Sequence, residues 1–206
     1  MHSGTKYLGG HSDLLCGVLA VRKGETERWK GLWLERCTLG LVMGSLEGWL
    51  GVRSLRTLEV RVKAQSENAG RLVAWLDGAL KGGREEGEGE DAAEAEVVRK
   101  VVKEVKHASL QAEDMHWLKK QMPNGFGPVF SIYMKTMQQA RALPSKLRFF
   151  HHATSLGGVE SLIEWRRMTD AGVDETMLRL SIGIENWVDL KNDLAGAFKA
   201  VAEMGN

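Results

Sequence analysis

The sequence predicts an α/β fold, and three observations carry that prediction. Residues 14–21 form an apolar run of strand length that ends at Arg22-Lys23-Gly24, the pattern of a buried strand and its exit turn. Two further stretches alternate apolar and polar residues with the period of a strand. These are Phe130, Ile132 and Met134 against Ser131 and Tyr133, and Leu178, Leu180 and Ile182 against Arg179 and Ser181. Between residues 46 and 80, by contrast, Leu46, Trp49, Leu50, Leu55, Leu58, Val62, Leu72, Val73, Leu76 and Leu80 recur at three- and four-residue steps, which is the helical period. Strands interspersed with long helices imply helices packed on a sheet.

The remaining elements follow in order. Residues 25–45 carry Trp29 and Trp33 and then a stretch broken by Gly40 and Gly44, which predicts a helix followed by a loop. Residues 46–80 make one long helix or two in series. Residues 83–96 hold seven acidic residues interleaved with glycine and alanine, read here as a solvated acidic loop, with recruitment of a basic partner as the alternative. Valines 97, 98, 101, 102 and 105 have a helical period written in strand-forming residues, so period and propensity disagree. A helix over residues 137–143 stops before Pro144. A strand over 147–153 then delivers the chain to Thr154-Ser155-Leu156-Gly157-Gly158. Two glycines before a helix starting near Val159 would leave backbone N–H groups free for an anion, although a plain strand-to-helix connection has the same pattern. Asn186 caps a last helix whose Trp187, Leu190, Leu194, Phe198 and Val201 face inward.

Composition narrows the function. A chain of 206 residues with 43% hydrophobic content can build a core, in one large or two small domains. Lys+Arg 28 against Asp+Glu 27 gives no electrostatic case for nucleic acid or an anionic membrane as partner. No run approaches the roughly 18 apolar residues of a membrane span, and the N-terminus lacks a basic-then-apolar leader, so a cytoplasmic protein is expected. Two cysteines are too few for a disulfide framework and read as small buried hydrophobes. The six histidines are scattered, and His151 and His152 would face opposite ways on a strand, so no metal site is expected.

Chemistry concentrates at the start of the chain. Lys6 lies beside Ser3 and Thr5, which on an extended backbone point to one side while Lys6 points to the other. Two hydroxyls can donate to a phosphate while a neighbouring amine reaches the far end of the same ligand. Pyridoxal phosphate asks for that combination, an amine to condense with its aldehyde and donors for its phosphate. Arg179 is the second candidate. A guanidinium on a strand otherwise destined for the core needs a carboxylate partner, either a bound ligand's or a structural ion pair's.

The wording of these segments goes further. His2-Ser3-Gly4-Thr5-Lys6-Tyr7 with Gly10-His11-Ser12-Asp13 resembles the cofactor-lysine segment of the Cys/Met-metabolism (trans-sulfuration) family of pyridoxal-phosphate enzymes. Arg53-Ser54-Leu55-Arg56-Thr57-Leu58, Gly125-Phe126-Gly127, Ser155-Leu156-Gly157-Gly158-Val159-Glu160-Ser161-Leu162 and Leu178-Arg179-Leu180-Ser181-Ile182-Gly183-Ile184-Glu185 resemble further landmarks of that family, in its order. The resemblance implies the C-terminal part of a fold-type I transferase. Residues 1–62 would be the tail of the cofactor domain with its connecting helices, and residues 63–206 the smaller C-terminal α/β domain. It also favours a strand for the end of the valine stretch.

By the same resemblance, Lys6 is the catalytic residue that binds the cofactor and shuttles protons. Ser3 and Thr5 contact its phosphate, Arg179 forks onto the α-carboxylate of an amino-acid substrate, and Ser155 lies beside that carboxylate. The implied reactions are γ-replacement on an activated homoserine or elimination at the C–S bond of a cystathionine-like substrate, in a homodimer or homotetramer. Several relatives carry a glutamate where Thr154 stands here, which leaves the reaction sub-class open. The resemblance spans only the latter half of a family member. Outside it lie the glycine loop, the ring-stacking aromatic, the aspartate for the ring nitrogen, and the tyrosine and arginine given by a neighbouring subunit. Two readings follow: a truncated trans-sulfuration enzyme, or a catalytically silent half-chain serving as an interaction or dimerisation module.

Overall fold

The computed structural model describes residues 1–82 and 90–204. By its contacts the chain divides into two units, Met1–Glu59 and Val60–Asn206.

The first unit opens with a two-residue strand, β1 (His2–Ser3), paired antiparallel with β2 (Gly17–Val18). The buried strand expected over 14–21 is therefore reduced to two residues. Leu14 is buried, but Leu15 is 84% exposed, and Val18 and Leu19 are exposed as well. The physical reason is pairing: a strand apolar on both faces needs neighbours on both sides, and β2 has only the short β1. Helix α1 (Thr26–Thr38) and helix α2 (Ser45–Leu55) follow, separated by the expected glycine-punctuated loop. No residue of α1 is buried. Cys37 is exposed with the rest of the helix, against expectation, and Cys16 is half-buried.

The second unit holds the core. Helix α3 (Leu58–Lys81) is separate from α2, so the long periodic stretch is two helices in series. Helix α4 (Glu90–Val101) runs directly into β3 (Val102–Lys106), which resolves the valine conflict by using both conformations in turn. The acidic loop expected over 83–96 is corrected in its second half: residues 90–96 are helical, and 83–89 lie outside the described residues. Alanines 92, 93 and 95 favour helix. Glu96 pairs with Lys100 one turn on at 2.8 Å, and Glu94 pairs with Lys191 at 2.7 Å.

After α5 (Met115–Gln121), the strands β4 (Val129–Met134), β5 (His151–His152), β6 (Leu162–Trp165) and β7 (Met177–Ser181) complete a five-stranded sheet in the order β3-β4-β7-β6-β5. Every pairing is antiparallel except β5 with β6. Helix α6 (Met137–Ala142) is capped by the Thr136 hydroxyl, which accepts from Gln139 N, and gives way to a tighter turn at Leu143–Lys146 containing Pro144. Helix α7 (Trp187–Glu203) is capped by Asn186, whose side chain accepts from Val188 N.

Alternation along β4 and β7 sends Phe130, Ile132, Met134, Leu178 and Leu180 to one face of the sheet. There they form a single core with Leu72 and Leu76 of α3, Val98 and Val101 of α4, and Leu190, Leu194, Phe198 and Val201 of α7. The opposite alternation leaves Arg179 and Ser181 on the other face of β7.

Candidate active site

The lysine segment belongs to the first unit, and its backbone is folded back rather than extended. Gly4 N and Thr5 N both donate to the Cys16 carbonyl, at 2.8 and 3.3 Å, and Cys16 N donates to Thr5 Oγ1 at 3.2 Å. Gly4 packs against Cys16: a Cβ there would stand 2.2 Å from Cys16 Sγ and 3.2 Å from its carbonyl oxygen, so a side chain at this position would require the thiol to turn away. Residues Thr5–Gly9 make one wide turn closed by Gly9 N donating to Gly4 O at 2.7 Å. Gly10, at φ 68, donates to Lys6 O at 2.6 Å and ends the turn in a conformation glycine adopts without strain. The strand-like alternation of Ser3 against Lys6 thus gives way to a turn, because the apolar run behind it supplies only two ladder residues.

Two of the sequence landmarks meet inside this unit. Arg53 of α2 pairs with Asp13 at 2.9 Å, and buried Ser54 Oγ lies 3.5 Å from His11 Nδ1, which donates to Gly9 O at 2.8 Å. Helix α2 therefore braces the end of the lysine turn. Burial also raises the Tyr7 phenol above its ordinary value.

In the second unit the turn at 154–158 is held by side chains from two elements. Arg179 Nη2 donates to the carbonyls of Thr154 and Ser155, the latter at 2.9 Å. Ser181 Oγ accepts from Gly157 N at 2.9 Å, and buried Gln65 of α3 donates through Nε2 to Gly158 O. Ser155 and Arg179, both singled out from sequence, are thus brought together.

The helix expected to start near Val159 is absent. Val159 O accepts from Ile184 N at 2.8 Å and Ser161 O accepts from His151 N at 3.0 Å, so this segment extends the sheet. Ser161 is pinned in that course, its hydroxyl donating to Glu185 at 2.9 Å and accepting from Gly183 N at 2.9 Å. Backbone groups committed to a ladder cannot also start a helix, and the proposed helix-terminus anion site goes with it.

Arg179 has a partner that sequence reasoning missed. Glu164 of β6 stands opposite it in the β6–β7 register, is 2% exposed, and lies 2.7 Å from Arg179 Nη2. Its signal was present in the sequence as a lone carboxylate inside the apolar stretch Leu162-Ile163-Glu164-Trp165, the mirror of the argument applied to Arg179. Arg166 donates to the same carboxylate, so two guanidiniums share one buried anion. Burial lowers the Arg179 guanidinium below its ordinary value, with Glu164 opposing that shift and Arg166 adding to it. Arg179 Nε is buried without a hydrogen-bond partner. That unpartnered donor lies on a cluster of two guanidiniums and two carboxylates, buried Glu164 and the half-exposed Asp170, which stands 3.9 Å from Arg166.

The profile of the Cys/Met metabolism PLP-dependent enzymes matches residues 1–199. The chain belongs to that family. Among its relatives are a cystathionine beta-lyase of Lactococcus lactis subsp. cremoris, 30% identical over 97% of this chain and 50% of that protein, and the cystathionine gamma-synthase of Escherichia coli, 32% identical over 97% and 49%. The crystal structure of the cystathionine gamma synthase of Xanthomonas oryzae pv. oryzae in complex with aminoacrylate and cysteine superposes with a TM-score of 0.77 at 31% identity, covering 100% of this chain and 50% of that one. A methionine gamma lyase from Micromonospora echinospora gives 0.75 at 30% identity, covering 95% and 48%. The chain spans about half the length of the curated relatives it matches. The Cys/Met metabolism enzymes are PLP-dependent, and the lysine segment has a donor set suited to that cofactor: one amine and two hydroxyls within four residues, around a glycine packed against Cys16. Among the described residues no helix is long and apolar enough to cross a membrane.

Proposed function

We propose that this chain carries the cofactor-lysine and carboxylate-binding parts of a PLP-dependent enzyme acting at the β- or γ-carbon of a sulfur amino acid or an activated homoserine. Arg179 is the observation that carries the reading: a half-buried guanidinium whose Nε is buried and unpartnered, beside Ser155, in a chain of this family. Lys6 Nζ would hold the cofactor's aldehyde end, and the hydroxyls of Ser3 and Thr5 would donate to its phosphate. Bound, pyridoxal phosphate supplies an electron sink for charge developing at the substrate Cα. Arg179 would grip the α-carboxylate of an amino-acid substrate, and Lys6 Nζ, as the cofactor lysine, would carry a proton. Thr154, an exposed hydroxyl next to Ser155, offers no carboxylate base at that position.

The test joins this chain to the N-terminal half of the Escherichia coli cystathionine gamma-synthase and treats the product with pyridoxal phosphate and borohydride. Label confined to Lys6, together with activity that Lys6→Ala abolishes, is the expected result. Label spread over several lysines in the joined protein would overturn it. The exposed apolar residues of α1 and α2 favour the second reading, an interaction module without chemistry, in which the joined protein assembles but leaves Lys6 unlabelled.

A further inference from the structure

Glu164 is more than a counter-ion for Arg179. Its Oε2 receives Arg179 Nη2 at 2.7 Å and Arg166 Nη1 at 3.0 Å. Its Oε1 receives Arg166 Nη1 at 3.2 Å and the Thr169 hydroxyl at 2.8 Å. Arg166 and Thr169 come from the turn that follows β6, and Arg166 also lies 3.9 Å from the half-exposed Asp170. A buried carboxylate supported by a second guanidinium and a hydroxyl remains compensated if one donor turns away.

That donor is the one a ligand would need. A guanidinium grips a carboxylate through two parallel N–H bonds, and both of its two-donor edges include Nη2. In Arg179 every internal contact described, to Glu164, Thr154 O and Ser155 O, is made by Nη2, while Nε is buried and unpartnered. Glu164 and a ligand carboxylate therefore compete for the same donor. We infer that Glu164 is an internal occupant of Arg179, and that Arg166 with Thr169 draws Glu164 away so that Arg179 can take an external carboxylate.

Arg166 and Glu164 are on this view positioning residues, acting on a ligand only through Arg179. With Arg166 present, two guanidiniums and the Thr169 hydroxyl face the one buried carboxylate, so Glu164 does not depend on Arg179 alone, and the cluster's other carboxylate, half-exposed Asp170, lies on the Arg166 side. Without it, Arg179 is the only guanidinium left on a buried anion, and the internal pair tightens. The inference rests on the reading of Arg179 as the carboxylate-binding group.

The experiment uses the full chain, with acetate as the probe and the Arg179 Nε–H resonance as the readout in a 15N NMR titration. Arg166→Gln is expected to weaken acetate binding about fivefold to tenfold, and Glu164→Gln to tighten it by a similar factor, the size of coupling seen between contacting charges. In the double variant the Arg166→Gln effect should vanish, because there is no longer a carboxylate to hold back. Thr169→Val changes no charge and should weaken binding about twofold to threefold, which keeps the idea testable if Glu164→Gln fails to fold. Both charge variants weakening acetate would indicate a merely structural cluster and overturn the inference. Equal Arg166→Gln effects with and without Glu164 would reduce it to through-space charge and overturn it too. Acetate binding unchanged in Arg179→Lys, read from the remaining backbone resonances, would sink the proposed role of Arg179 itself, an outcome distinct from the other two.

Discussion

Helices α1 and α7 both carry apolar residues at helical spacing, and they end in opposite environments. Helix α7 buries Leu190, Leu194, Ala197, Phe198 and Val201 against the sheet. Helix α1 buries nothing, and Trp29, Trp33 and Leu34 are each more than half exposed. The difference teaches that an amphipathic stripe states that a surface can be covered and is silent about whether the chain supplies the cover. It also distinguishes the surroundings of the two candidate residues, each within its own unit: Arg179 sits on a sheet backed by a closed core, whereas Lys6 sits on a turn with a two-residue ladder behind it.

The largest test of that contrast is truncation. Phe198→Ala, at a fully buried ring, should lower unfolding free energy by about 3–5 kcal/mol, while Trp33→Ala should stay within about 0.5 kcal/mol. Urea unfolding of both variants checks it, and comparable losses would erase the distinction between the units.

Cofactor chemistry on the isolated chain comes next. Because β1 is exposed and has one short partner, treatment with pyridoxal phosphate and borohydride should label several lysines rather than Lys6 alone. Peptide mapping reads the outcome, and stoichiometric label at Lys6 only would mean that the turn is a complete site without further support.

Arg179→Lys, in the joined protein, should cost amino-acid affinity about tenfold, since an ammonium cannot offer two parallel donors, with cofactor binding kept. An unchanged KM would return Arg179 to a structural ion pair with Glu164.

His107 gives a smaller, pH-dependent test within the second unit. It accepts through Nδ1 from Ser109 N at 3.3 Å and donates through Nε2 to Gly127 O at 3.0 Å, and burial lowers it below its ordinary value. A histidine held neutral in the fold binds fewer protons than in the unfolded chain at mildly acidic pH. Its stabilisation is therefore present above about pH 6.5 and is lost as pH falls through its lower folded value. Thermal melts from pH 7 to pH 5 should show a steeper decline for the wild type than for His107→Gln. Parallel declines would remove His107 from the account.

Much of this was legible in local sequence. The two-residue alternation of β7, the three- and four-residue steps of α3 and α7, the Asn186 cap and the stop near Pro144 all depend on groups a few residues apart, so their energetics are written side by side in the chain. The landmarks around Lys6 and Arg179 identified the family because their residue types, in their order, were intact.

Other features depended on partners far along the chain. Glu164 meets Arg179 only because the β6–β7 register sets them opposite, and Val159 is extended rather than helical because Ile184 N takes its carbonyl. Residues 14–21 had the composition of a buried strand, but burial requires neighbouring strands, and β1 alone does not provide them. By itself the sequence determined which chemistry the chain can present: a lysine with two hydroxyls, and an arginine on a core strand. Only the tertiary structure decided that Arg179 shares a buried carboxylate with Arg166, because register and burial are properties of pairs that the chain brings together after long separations, and no local period encodes them.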